Sequence, residues 1–235
     1  MTFRPASLRF FRSLRRNNAK PWFEAHRPEY EEHVRAPMRM LIEELDVRLA
    51  RFAPEITGDP RRSMFRINRD IRFSTDKSPY KTHAACWLYH RDGDRKVGSE
   101  AESGGAGFYF HLAPNESFVG GGIWMPPRPV LNRLRDAIAE NPVGFGRVAG
   151  SPAIKRRFGG LSQEEMLKRM PRGYADDHPA AKWLRYQSFT LGRRLTDEQV
   201  MSPRLGGVLE RDFQGMLPLV RWLNAALGLR TSGPR

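Results

Sequence analysis

The feature that most constrains this chain is a double change in the spacing of its apolar residues. Tyr30, Val34, Met38, Leu41, Leu45, Leu49 and Phe52 recur every three or four positions, which lays one apolar stripe along a helix. Pro37 falls inside that stretch and is expected to kink the helix or begin it afresh. From Phe65 the period becomes two. Phe65, Ile67, Ile71 and Phe73 alternate with Arg66, Asn68, Asp70 and Arg72, with Arg69 breaking the apolar side; the pattern predicts a strand with one polar face. His83 to Tyr89, Phe108 to Leu112 and Ser117 to Met125 read as further strands, and Ser188 to Leu195 as another. Leu205, Leu209, Phe213, Met216, Leu217, Val220, Leu223 and Leu227 then restore the helical period, up to Gly228.

Strands so close together along the chain imply an antiparallel meander. With helices on either side of them, the expected class is α+β: a central, mainly antiparallel sheet of about four or five strands flanked by N-terminal and C-terminal helices. Nothing repeats and no low-complexity linker divides the chain, so residues 1–235 are expected to form a single domain around one core. Pro126-Pro127 should open a helix with the face Val130, Leu131, Leu134 and Ile138, closed by Asn141-Pro142. Ser162 with Glu165, and Thr196 with Gln199, have capping-box spacing at two later helix starts. Arg91 to Gly107, rich in Gly, Ser and charge of both signs, reads as a flexible hairpin excursion.

Charge and cysteine content narrow the function classes. The net charge of +14 invites a nucleic-acid partner, yet 33 of the 40 basic residues are Arg and they are spread along the whole chain. GC-rich coding produces such a skew without selection for binding. Met1 to Lys20 carries six basic and no acidic residues around Leu8, Phe10, Phe11 and Leu14. It superficially matches an organellar transit peptide and reads better as a first helix packed on the core. No apolar run is long enough to span a bilayer and no secretory leader pattern is present, so the expected location is cytoplasmic. Cys86, the one cysteine, excludes an internal disulfide and a multi-cysteine zinc site. His83, His90 and His111 fit no standard zinc spacing, so no metal and no cofactor are expected.

The most informative stretch runs from Arg66 to Lys81. Five cations, Arg66, Arg69, Arg72, Lys77 and Lys81, stand beside only two carboxylates, Asp70 and Asp76. Like charges this close repel, and burying them is costly unless each is paired. An oxyanion relieves the imbalance, since an arginine fork matches phosphate or carboxylate and lysine adds a point charge. The run Arg66-Ile-Asn-Arg69-Asp70-Ile-Arg72-Phe73, followed by Asp76-Lys77 and Pro79-Tyr80-Lys81, resembles the signature of a family of unknown function, domain of unknown function 2461. Gly107-Phe-Tyr109-Phe-His111, the Ser117 to Trp124 segment with Gly120-Gly121-Gly122, and Pro171-Arg-Gly173-Tyr174 with Asp177-His178-Pro179 look like landmarks of the same family, in the same order. Two departures are a longer polar excursion from Arg91 to Ala106 and a helix after Pro126 without an acidic start. The resemblance implies no established activity.

Three readings follow from the residues. In the first, Arg66, Arg69, Arg72, Lys77 and Lys81 hold a phosphate- or carboxylate-bearing small molecule, with Asp70 or His111 carrying protons and Tyr80 and Tyr109 orienting it. In the second, the +14 charge and the aromatics interleaved with Arg serve a nucleic acid. In the third, the protein is a non-catalytic or oligomer-forming one whose arginines pair with carboxylates such as Glu24, Glu29, Glu31 or Glu32, stitching helix to sheet. The glycine run within a strand marks close approach by a ligand, a backbone or a packed side chain. No Gly-Lys-Ser/Thr follows it, so it is not a phosphate-binding P-loop.

Overall fold

The computed structural model describes residues 3–72, 74–93 and 104–231. Helix α1 (Pro5–Arg16) buries Leu8, Phe10, Phe11 and Leu14, the core-packed first helix that the spacing predicts. The short helices α2 (Lys20–Ala25) and α3 (Arg27–Tyr30) lead into a π-helical turn, Glu31–Arg35, and then α4 (Ala36–Leu49). Pro37 explains the irregularity. It has no N–H for the His33 carbonyl, and the wider turn gives its ring room without ending the helix.

Five strands follow: β1 (Ile56–Thr57), β2 (Ala84–His90), β3 (Gly107–Leu112), β4 (Phe118–Ile123) and, after several helices, β5 (Phe189–Arg194). They lie side by side in chain order with every pair antiparallel, a meander as expected. Between β4 and β5 come α5 (Arg128–Glu140), α6 (Pro142–Ala149), α7 (Pro152–Phe158) and α8 (Ala181–Leu184). After β5 come α9 (Asp197–Met201) and α10 (Leu205–Ala226). This is an α+β fold with helices before and after an antiparallel sheet.

One face of the sheet is the core face. Cys86 and Leu88, Phe108 and Phe110, Val119, and Phe189 and Leu191 all belong to the buried cluster. Helix α10 covers β4 and α4 covers β2, with Phe108 stacked on Phe213 at 4.5 Å. Asp212 of α10, fully buried, receives Arg193 at 2.6 Å and Arg157 at 2.7 Å, tying β5 and α7 to the long helix. Glu55 and Arg221, 2.6 Å apart, do the same for the turn before β1.

Two expectations need correction. The alternation from Phe65 to Phe73 does not become a regular strand, and Phe73 itself lies outside the described residues. Ser63 and Phe65 exchange backbone bonds with Trp87 and Ala85 at the edge of β2, and the chain then leaves that edge. Arg69 and Lys81 instead bond Pro79 and Ile67 around an isolated Asn68–Tyr80 bridge. Period two is satisfied by this narrow two-stranded ribbon, which needs no place in the main sheet. Nor does Ser162 start a helix. Ser162 N–H donates to Thr190, Leu167 to Arg185, and Gln187 to Glu165, so long-range backbone bonds claim the groups that a helix would use. The Thr196 capping box forms as predicted. Of the Arg91 to Gly107 excursion, residues 94–103 lie outside the described residues.

Candidate functional site

The second face of the sheet is set by the register. Ala85 opposes His111, which opposes Phe118, which opposes Arg194; one row on, Trp87, Tyr109, Gly120 and Gly192 align. These residues stand on the face away from α10, because their neighbours in sequence fill the core. There they border an open groove of about 1500 Å³, whose walls include Phe65, Trp87, Tyr109 and Phe118 and whose floor is rich in glycine.

The glycine run divides into three roles. A side chain on Gly121 would meet Met216 at 2.9 Å and Phe108 at 3.0 Å, so this residue is small to let α10 approach. Gly122 has φ 128° and its hydrogen faces the Phe189 carbonyl, a conformation and a proximity that only glycine accepts. Gly120 differs. A Cβ there would touch only the Leu191 carbonyl, at 3.3 Å, and the Tyr109 Cβ, at 4.0 Å, so its outward side is open to the groove. Helix packing, backbone approach and an open floor are thus combined in three residues.

At one end of the groove the aromatic rings gather into a cluster. His111 lies between His83, with ring centres 4.2 Å apart, and Phe118, at 4.7 Å. Tyr109 Oη and His111 Nδ1 hydrogen-bond at 3.0 Å. Phe65 meets Tyr109 edge-on and carries the Lys81 ammonium over its face at 5.3 Å. Burial dominates the electrostatics here. It lowers His111 to about 3 and His83 to about 4, with Lys81 and Arg69 adding repulsion at His83. Both rings are neutral at physiological pH. Burial also raises Tyr109 and lowers Lys81, the latter helped by the charge of Arg66. Among the described residues, none bonds His111 Nε2 or either nitrogen of His83.

The structure separates the residues that the sequence groups as one motif. Lys81, Tyr109 and His111 come together, with Arg66 close enough to act on Lys81 and Arg69 on the neighbouring His83. Asp70 and Arg72 pair with each other at 2.7 Å on the exposed side of the ribbon, and Arg72 holds Asp70 down at about 2. Arg69 is taken by Asp76, which also accepts from Ser78. Lys77 donates to the Ile71 carbonyl. Tyr80 is buried on the helical side, its ring stacked on Phe23 at 4.1 Å and its backbone held at both N–H and C=O by Asn18. The helix carboxylates go elsewhere: Glu24 to Arg27, and Glu31 to Arg35. Among the described residues, Arg66, Lys77 and Lys81 are the motif cations that form no ion pair with a carboxylate, Lys77 being held by the Ile71 carbonyl.

His83, Trp87 and Phe118 belong to this site without having been candidates for its ligand, and Gly120 is the one of the three run glycines whose outward side is open to the groove. His83 lies one residue before β2 on the same alternate set as Ala85 and Trp87, so its face was readable. Its diagonal contact with His111 required the β2–β3 register. Among the described residues no three His, Cys, Asp or Glu side chains group as a metal site, and no helix is long and apolar enough to cross a membrane.

No curated protein and no solved structure gives a significant match to the chain. Residues 6–222, nearly the whole length, match the family described as "Conserved hypothetical protein (DUF2461)". The motif, the glycine strand and the tyrosine-histidine strand all lie inside the matched span, and the chain belongs to the domain of unknown function 2461 family.

Proposed function

We propose that this protein binds a phosphate- or carboxylate-bearing small molecule in the groove on the open face of its sheet, as a cytoplasmic binding protein or enzyme. One observation carries the reading: among the described residues Arg66, Lys77 and Lys81 form no ion pair with a carboxylate, and Lys81 lies over the ring of Phe65, a wall of the groove, near the neutral His83–His111 pair, of which His111 lines the groove. The anionic group is received by Lys81 and Arg66, while the ligand body lies on Gly120 between Trp87 and Phe118. His111, bonded to Tyr109, is the proton carrier within reach of such a ligand. Asp70, occupied by Arg72 on the exposed side, suits that role less well. Buried Cys86, raised to about 12 by desolvation, suits a reducing compartment and takes no part.

The imidazole resonances of His83 and His111 test this reading. Adding phenyl phosphate or benzoate at constant ionic strength should shift both and raise their pKa values, because a bound anion favours imidazolium. Lys81→Met should weaken the response about tenfold, as loss of one charge-assisted contact does. Histidine signals indifferent to every anion, beyond the effect of potassium chloride, would overturn the proposal.

A single-stranded nucleic acid is the second reading, favoured by Trp87, Tyr109 and Phe118 on one face and by Trp124, 70% exposed, at the groove rim. It requires affinity that falls linearly in log salt. Absence of binding at low salt removes it.

A further inference from the structure

A second cavity, of about 810 Å³, opens between α5 and the loop around residues 167–172. Four arginines line it, Arg128, Arg135, Arg169 and Arg172, and none of its lining residues is acidic. Three of the four are exposed at the rim. Arg135 is not: it is 6% exposed. Its Nε donates to the Leu184 carbonyl at 2.9 Å and Nη2 to the Tyr186 carbonyl at 3.2 Å, while Nη1 bonds to none of the described residues.

A largely buried guanidinium favours a counter-charge, yet the hydrogen bonds of Arg135 go only to carbonyl oxygens, and its remaining amino group stays accessible from the cavity. Burial lowers its pKa, and the nearby charge of Arg128 adds to that despite some relief from Tyr174. Elsewhere the fold solves the same problem with an acid, as at Asp212. Between and beside the arginines, Met125, Leu131 and Met170 add apolar lining, and the volume far exceeds what a bare oxyanion fills.

We infer that this cavity is a second ligand site, taking a small molecule with one oxyanionic group, phosphate or carboxylate, and an apolar body. The oxyanion sits at the Arg135 fork within the ring of Arg128, Arg169 and Arg172. The apolar part lies on Met125 and Leu131. Met125 and Pro126 also border the sheet groove, so the two sites are neighbours across one turn of chain. The second site uses none of the Arg66 to Lys81 residues and stands independently of the reading above.

Calorimetric titration of the full chain tests it in an Arg66→Ala/Lys81→Met background, which removes the proposed groove cations. Phenyl phosphate should still bind, with one site per chain and more tightly than inorganic phosphate. Adding Arg128→Ala and Arg172→Ala, both at exposed positions, should weaken it at least tenfold with the melting temperature unchanged. Benzoate in parallel separates a carboxylate preference from a phosphate one. In the unsubstituted protein, phenyl phosphate should also shift the Arg135 Nε resonance, a readout that needs no variant to fold. Absence of binding in the background protein, binding indifferent to the rim arginines, or an unmoved Arg135 signal at saturation would each overturn the assignment.

Discussion

Asp212 and Asp70 meet arginine at nearly the same distance, 2.6 Å to Arg193 in one case and 2.7 Å to Arg72 in the other. Their surroundings are opposite. Asp212 is fully buried on the inner face of α10 and holds two arginines from separate elements, whereas Asp70 and Arg72 lie two residues apart on an exposed ribbon. The comparison teaches that charge density along a sequence is a poor guide to where charge matters for the fold. Water screens the dense motif, and the ends of its long side chains lose entropy to pair. At the sparse pairs the acid is wholly buried and screened far less, so the Asp212 carboxylate depends on its two arginines although these reach the surface.

The largest expected effect comes from the buried side. Asp212→Ala strands Arg157 and Arg193 and should cost about 3–5 kcal/mol, read by chemical denaturation, while replacing Asp212 and Arg193 together by Leu and Met should restore much of it. If the single and double variants are equally unstable, the pairing is not what holds α10 to β5.

Acid unfolding gives an intermediate effect and distinguishes the histidine cluster from the exposed motif carboxylates. His83 and His111 have folded pKa values of about 4 and 3, below the unfolded value near 6.5. The unfolded chain therefore takes up protons first. Stability is complete above about pH 6.5 and falls as pH drops toward 4 for His83 and toward 3 for His111, on the order of 2 kcal/mol for the pair, both rings being partly open to solvent. His83→Asn/His111→Asn should flatten that window. Asp70 and Asp76, held at about 2, give a contribution present above their unfolded value and lost only as pH falls from about 4 toward 2. A stability loss confined to that lower window would reverse the ranking.

The smallest effect is expected at the ribbon itself. Arg72→Ala should leave the melting temperature unchanged, since its partner is exposed and free to hydrate. A clear drop would mean that the ribbon helps to hold the sheet edge.

Much of the architecture was readable because it depends on local spacing. The apolar stripes of α1, α4 and α10, the alternation in β3, the short strand-forming runs of β2 and β5, and the Thr196 cap all follow from residues within a few positions of each other. The failures share a cause. Ser162 and Glu165 have correct capping spacing, but Thr190 and Gln187, more than twenty residues away, bind their backbone. Phe65 to Arg72 alternates like a strand, but only Phe65 reaches β2. In both, a distant partner decided between conformations that the local pattern allows.

The site divides along the same line. The sequence by itself determined the family, the α+β class and the presence of more cations than carboxylates between Arg66 and Lys81. Only the tertiary structure decided which cations those carboxylates satisfy, and that Lys81, His83, Tyr109 and His111 meet beside a glycine floor. Periodicity is a property of neighbours along the chain. Charge compensation and ring stacking depend on what packing brings within a few ångströms, and β2–β3 register and the docking of α10 set those distances.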